Sequence, residues 1–256
     1  MSHILDCPHE ILIWIYLRLE CITDALHLSR SCRQLHHILN RPHDRLNIFL
    51  SIINNIPTPT RPDNGWMKSH FGIDSIWQPT ESDFPRDLTD PDTRSFLTTV
   101  GFPAMKLKMS GFDSTHLKDR GLLQAFDADE LYGLRYPDDD SPPTNFAFHF
   151  ASLDQWMVMV GGEDGEVALY DPDGWDHADG YQGLVATSLG RLAVLAWMLG
   201  EVTERLDVIV PESVGDEEKQ EEMQQAVLGR LRERMVEYDD CVEECKFWDG
   251  VFEAFE

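Results

Sequence analysis

The chain has 256 residues, room for one medium domain and a small module with a core of useful size. A hydrophobic content of 42%, with seven Trp and thirteen Phe, excludes a disordered chain. The 46 acidic against 21 basic side chains leave a formal charge of −25, which opposes binding to nucleic acid or to anionic membranes; neither is expected as a partner.

That charge is uneven. Residues 1–50 hold five basic and five acidic side chains and six of the ten histidines. Residues 127–180 carry fourteen acidic side chains against one basic, and residues 201–256 eighteen against six. The five cysteines, Cys7, Cys21, Cys32, Cys241 and Cys245, are odd in number and irregularly spaced, so no disulfide framework is expected. The apolar run Ile11–Leu17 has no basic stretch before it and no small-residue cleavage site after it. It also falls short of the roughly 20 residues that span a bilayer. The expected location is intracellular, in cytoplasm, nucleus or both.

Residues 1–40 read as three short helices. Pro8 precedes the first, with Glu10 in its opening turn; Thr23 or Asp24 is placed to cap the second, which runs through Leu28. Cys32, Leu35, Ile38 and Leu39 form the stripe of a third helix, which Asn40 and Pro42 stop. The first helix is unusual. From Ile11 to Leu19 only Arg18 is charged, so it has no polar face and must bury two sides. One side goes into its own small bundle, and the other calls for a partner.

These residues resemble the F-box, as found especially in fungal proteins. The likeness rests on Leu5-Asp6-Cys7-Pro8-His9-Glu10-Ile11-Leu12, Ile15, Leu19, Leu28-Ser29, Cys32-Arg33-Gln34-Leu35-His36 and Ile38-Leu39, with Cys7 standing where the family usually has Leu. The resemblance implies docking to a Skp-type adaptor of a cullin–RING ubiquitin ligase. It implies that Pro8, Ile11, Leu12, Ile15, Leu19, Leu28, Cys32 and Leu35 carry the contact, with the division between adaptor face and own core left open.

Residues 46–85 read as a partly structured connector. Ile48–Ile56 is apolar enough to extend the helices before Pro57, Pro59 and Pro62, and Trp66, Phe71 and Trp77 suit later packing. From Asp90 a capped helix carries Phe96, Leu97 and Val100 inward and ends at Gly101. Strand-like runs follow at 131–136, 146–150, 157–161 and 166–171, with turns at Gly161–Gly165 and Asp171–Gly174. Thr187–Leu199 reads as a helix with Leu189, Leu192, Ala193, Leu195, Ala196 and Leu199 buried. The acidic helix Glu217–Tyr238 has Met223, Val227, Leu231 and Met235 at every fourth position and reads as a packing helix.

This order is similar to the SUKH superfamily, in particular the type found as bacterial immunity proteins. Three pieces carry the likeness: Thr93-Arg-Ser-Phe-Leu-Thr-Thr-Val-Gly-Phe-Pro103, Val158-Met-Val-Gly-Gly-Glu-Asp-Gly-Glu-Val-Ala-Leu-Tyr-Asp-Pro-Asp-Gly174 and Ser188-Leu-Gly-Arg-Leu-Ala-Val-Leu-Ala-Trp-Met-Leu199. The tail from Arg230 to Trp248 adds to it. The resemblance implies an α+β domain that binds proteins and is not known for catalysis.

No catalytic or metal-binding pattern is complete. Asp171–Asp179 puts four carboxylates and His177 in nine residues, but an EF-hand started at Asp171 lacks Gly at its sixth and Glu at its twelfth position. Cys241 and Cys245, read as one face of a helix, have no second pair at zinc spacing. In the cluster of Cys21, His27, Cys32, His36, His37 and His43, Cys32 and His36 share a face, but the F-box pattern itself asks for Cys32 and the residues near it, so zinc is not expected there. Gly161–Gly165 lacks the P-loop ending, and no serine elbow is present.

The expected architecture is α+β. A three-helix F-box module spans 1–45, a connector 46–85, and a SUKH-like domain 86–256, with a mainly antiparallel sheet, flanking helices and an acidic insertion near 208–222. No cofactor is expected. The expected function is an adaptor of a cullin–RING ubiquitin ligase whose SUKH-like domain binds a client protein, its acidic faces favouring a basic one. The rival is a stand-alone, non-catalytic binding or inhibitor protein without a ligase connection.

Overall fold

A computed structural model describes residues 7–107, 110–120, 125–127, 146–174, 180–211 and 217–255. In chain order these form α1 (His9–Tyr16), α2 (Ile22–Ser31), α3 (Arg33–Leu39), α4 (Pro42–Asn55), α5 (Asn64–Phe71), β1 (Ile76–Trp77), α6 (Pro91–Thr99), β2 (Phe102–Pro103) and β3 (Phe112–Asp113). Then come α7 (His116–Arg120), β4 (Ala125–Asp127), β5 (Phe146–Leu153), β6 (Trp156–Gly161), β7 (Val167–Tyr170) and β8 (Tyr181–Ala186). The chain continues with α8 (Leu189–Thr203), α9 (Leu206–Ile209), α10 (Glu217–Tyr238) and α11 (Lys246–Glu253). The fold is α+β, a helical segment followed by a domain with antiparallel sheets and flanking helices. The strand expected at 131–136 lies outside the described residues, as do 175–179 of the acidic turn and 212–216 of the acidic insertion.

Two compact units divide the chain, and neither is one continuous stretch. The first is Met1–Thr58 with Met198–Tyr238; the second is Pro59–Trp197 with Asp239–Glu256. The boundary therefore falls inside α8.

The first unit is helical throughout its described residues. Pro8 opens α1, its carbonyl accepting from the Ile11 and Leu12 amides. The cap of α2 differs from expectation. Neither Thr23 nor Asp24 caps it; Cys21 holds the cap position and makes no side-chain cap bond. Instead the Glu201 carboxylate accepts from the Ile22 amide at 3.0 Å and from Cys21 Sγ at 3.4 Å, and pairs with Arg205 at 3.0 Å. A free amide at a helix start needs an acceptor, and a carboxylate suits the positive end of the helix. Here the fold brings one from 179 residues away. Cys32 caps α3 in extended backbone, its Sγ accepting from the Leu35 amide. Pro42 begins α4 as well as following α3: at the first helical position its missing N–H costs nothing.

Arg45, only 7% exposed, fastens α4. Its guanidinium donates to the carbonyls of Leu39 at 3.0 Å, Ile209 at 2.9 Å and Val208, and to Asn40 Oδ1 at 3.1 Å, while lying 5.6 Å over the Phe49 ring. Buried carbonyls left unmatched would be costly, so one cation closes several accounts at once. Tyr16, fully buried, donates from its hydroxyl to the Leu35 carbonyl at 3.1 Å and so ties α1 to α3. The acidic helix α10 buries Met223, Val227, Leu231 and Met235 and packs on α4.

The second unit holds the sheets. Strands run β3-β5-β6-β7-β8, with β4 also on β5, and every pairing is antiparallel. The β6–β7 turn at Gly161–Gly165 and the turn closed by the Gly174 amide on the Asp171 carbonyl lie where the glycines predict them. Asp90 caps α6 by accepting from the Thr93 amide at 2.7 Å, and Gly101 ends it at φ +83°. Leu97 is buried; Phe96 and Val100 are half-buried. β1 and β2 form a separate two-stranded ladder.

The carboxy-terminal α11 packs on β8 through Phe247, Trp248, Val251 and Phe252. The Trp248 indole donates to the Val185 carbonyl at 2.9 Å. Before it, Asp239 accepts from both the amide and the hydroxyl of Thr187 at 3.0 Å. Cys241 and Cys245 do not share a helix face. Residues Asp240–Val242 make a single 3-10 turn, and Cys245 is the cap of α11. Helix α10 ends at Tyr238, so a spacing of four residues no longer means a shared face.

Candidate protein-binding surfaces

In the second unit a cleft of about 500 Å³ opens where the starts of α6 and α8 meet the β6–β7 turn. Asp90, Asp92 and Asp164 line it together with Arg61, Ser188 and Arg191. Gly165 makes the close approach possible. It sits at φ +70°, and a Cβ there would lie 2.4 Å from both Asp90 Oδ2 and Thr93 Oγ1. The polar groups are mostly committed to structure. Asp90 caps α6, Asp164 accepts from the Glu166 amide at 3.1 Å, and Ser188 Oγ accepts from the Arg191 amide at 3.3 Å. Burial, followed by the Asp164 charge, pushes the Glu166 carboxyl up. Thr187, also in this wall, spends both its amide and its hydroxyl on Asp239.

The same unit carries an aromatic group on α5. Trp66 stacks on His70 at 4.2 Å, and Trp197 stands edge-on to both, at 5.5 and 4.5 Å. Beyond the end of α5, Ile73 is 72% exposed. Elsewhere burial, then the Asp239 carboxylate, pushes the Cys241 thiol well up. Among the described residues no three His, Cys, Asp or Glu side chains gather in a way that could hold a metal ion. His36 and His43 face Asn40 at 2.8 Å and Asn47 at 3.1 Å.

In the first unit the eight residues of the F-box-like pattern separate into core and surface. Leu12 and Leu35 are fully buried. Ile15, Leu19, Leu28 and Cys32 are half-buried, while Pro8 and Ile11 are exposed, Ile11 at 47%. Trp14, absent from that pattern, is 56% exposed beside Ile11, with the Arg18 guanidinium 5.1 Å over its ring. Its signal was available in the sequence: it stands three residues after Ile11 in a helix whose inward positions, Leu12 and Tyr16, are four apart. Ile11 and Trp14 thus leave an outward apolar strip on α1. Among the described residues no helix is long and apolar enough to cross a membrane.

A family model described as SUKH-4 immunity protein matches residues 62–254. No curated protein and no solved structure matches the chain. The match takes in β1 to β8, the cleft apart from Thr60 and Arg61, and α5 to α11, and stops short of α1 to α4. With about three quarters of its length covered, the chain belongs to the SUKH-4 immunity protein family.

Proposed function

We propose that this protein acts by binding another protein, as a stand-alone inhibitor of the immunity type, with no chemistry of its own. The observation that carries this reading is the family match over residues 62–254. The charge of −25 favours a basic partner, steered by long-range attraction and selected by local complementarity. Asp92 and Asp164, both exposed at the rim of the cleft, are the carboxylates best placed to meet it. The test is to cross-link the tagged chain in its own cells, identify the bound protein, and rebuild the complex from purified components. A stoichiometric complex with a basic protein, weakened at least tenfold between 50 and 300 mM salt and by Asp92→Asn with Asp164→Asn, supports the reading. A chain that forms no reconstitutable complex overturns it.

A second reading is favoured by one observation, the exposed Ile11–Trp14 strip on α1. In this reading α1 docks a Skp-type adaptor of a cullin–RING ligase, the SUKH-4 domain binds the client, and ubiquitin transfer belongs to other subunits. The discriminating experiment is binding of the purified chain to such an adaptor, with Ile11→Asp and Trp14→Asp as the control variant. Binding lost in the variant supports the adaptor role; no binding by the folded wild type leaves the stand-alone protein. For either reading the free cysteines Cys7, Cys21, Cys32, Cys241 and Cys245 support an intracellular location.

A further inference from the structure

In the second unit, away from the cleft, two histidines stack on one another. His116 on α7 and His149 on β5 have ring centroids 5.0 Å apart and planes inclined by 19°. His149 sits at the irregularity in the β5–β6 ladder between His149 and Ala151, with Nε2 3.2 Å from Ser152 Oγ. His116 Nε2 is buried and has no hydrogen-bond partner among the described residues. The other nitrogen of that ring is engaged by the backbone of His149. A second proton on His116 must therefore go to a buried atom with nothing to accept its hydrogen bond, a costly position for a charged donor.

We propose that the His116–His149 stack is an acid-sensitive latch between α7 and β5, closed while both rings are neutral and released when either takes a proton. Among the described residues, the charged neighbours do not rescue the protonated form. Asp113 on β3 faces His116 but is already paired with Lys106 at 3.0 Å, and Arg120 on α7 adds repulsion. Across the ladder, β6 offers Met159 opposite His149, and β4 places Asp127 in register with Phe146, three positions along β5. Burial is the main cause that lowers both histidines below the ordinary value of 6.5; the Asp113 charge opposes this at His116, and the charge of His116 adds to it at His149. Asp113 itself is pushed up by partial burial, but donation from Thr115 and the Lys106 ammonium outweigh that and hold it low. A histidine depressed in the folded state contributes stability that is whole above pH 6.5 and is lost as the pH falls through its folded value.

The experiment compares the melting temperature of the full chain between pH 7.5 and 5.5 with that of His116→Phe and His149→Phe, each of which keeps an aromatic ring and removes the proton site. The expected result is a larger loss in the wild type than in either variant. Alongside it, the two imidazole signals of the wild type, assigned by their absence in the variants or by selective labelling, should titrate below 6.5. Equal losses in wild type and variants overturn the latch. So does titration of both rings at or above 6.5 in the wild type, a result independent of whether either variant folds.

Discussion

Two helices of this chain are strongly apolar, and the structure treats them in opposite ways. In α8, Leu189, Leu192, Ala193, Val194, Leu195, Ala196, Met198, Leu199 and Val202 are all at 3% exposure or less. In α1, Leu12 and Tyr16 are buried, but Ile11 and Trp14 stand in solvent at 47 and 56%. The difference lies in length and company. A helix of 15 residues, four turns long, can be surrounded by other elements, whereas one of 8 residues presents barely two turns and is covered on one side. Strong apolarity in a helix thus means either a central position or a missing partner, and exposure tells which.

The contrast can be broken most severely in α8. Leu195→Ala should cost about 3 kcal/mol, read as a shift of the urea midpoint, because a fully enclosed leucine leaves a cavity. A loss below about 1 kcal/mol would mean that α8 is not the enclosed helix described above. Next comes the polar fastening of the first unit. Arg45→Met keeps the aliphatic bulk but strands the Leu39, Val208 and Ile209 carbonyls, and a loss of about 2 kcal/mol is expected in the same measurement.

Glu201→Ala removes the carboxylate that caps α2 and should cost about 1–2 kcal/mol. Hydrogen exchange at the start of α2 should rise with it, and unchanged exchange there would deny the long-range cap. Asp90→Ala, which strips an ordinary local cap from α6, should cost about 1 kcal/mol and serves as the reference for that comparison. The smallest effect belongs to α1. Ile11→Asp with Trp14→Asp should leave stability within about 0.5 kcal/mol while changing whatever binds the strip. A large destabilisation would show the strip to be core after all.

Local signals were legible where short-range chemistry decides. The Asp90 cap, the Gly101 stop, the turn at Gly161–Gly165 and the full extent of Glu217–Tyr238 all follow from residues within a few positions of one another. β8 was not anticipated, since Tyr181-Gln-Gly-Leu-Val-Ala186 has a glycine at φ +104° and no clean alternation. The pairing of Cys241 and Cys245 on one helix face was misread because a spacing of four means a shared face only if the helix continues, and at Asp239 it does not. The cap of α2 was misread for the opposite reason: two good local candidates, Thr23 and Asp24, lost to a carboxylate from α8.

By itself, then, the sequence determined the α+β class, the placing of most elements, the likeness to the SUKH family and the presence of one helix too greasy for its surroundings. These rest on periodicity, caps, turns and composition, which act over a few residues or over the chain as a whole. Only the tertiary structure decided that 1–58 and 198–238 make one unit, that Glu201 and Arg45 fasten it, that two histidines meet face to face, and which apolar residues of α1 remain in water. Each of these depends on groups far apart in the chain coming within a few ångströms, and no local pattern encodes that distance.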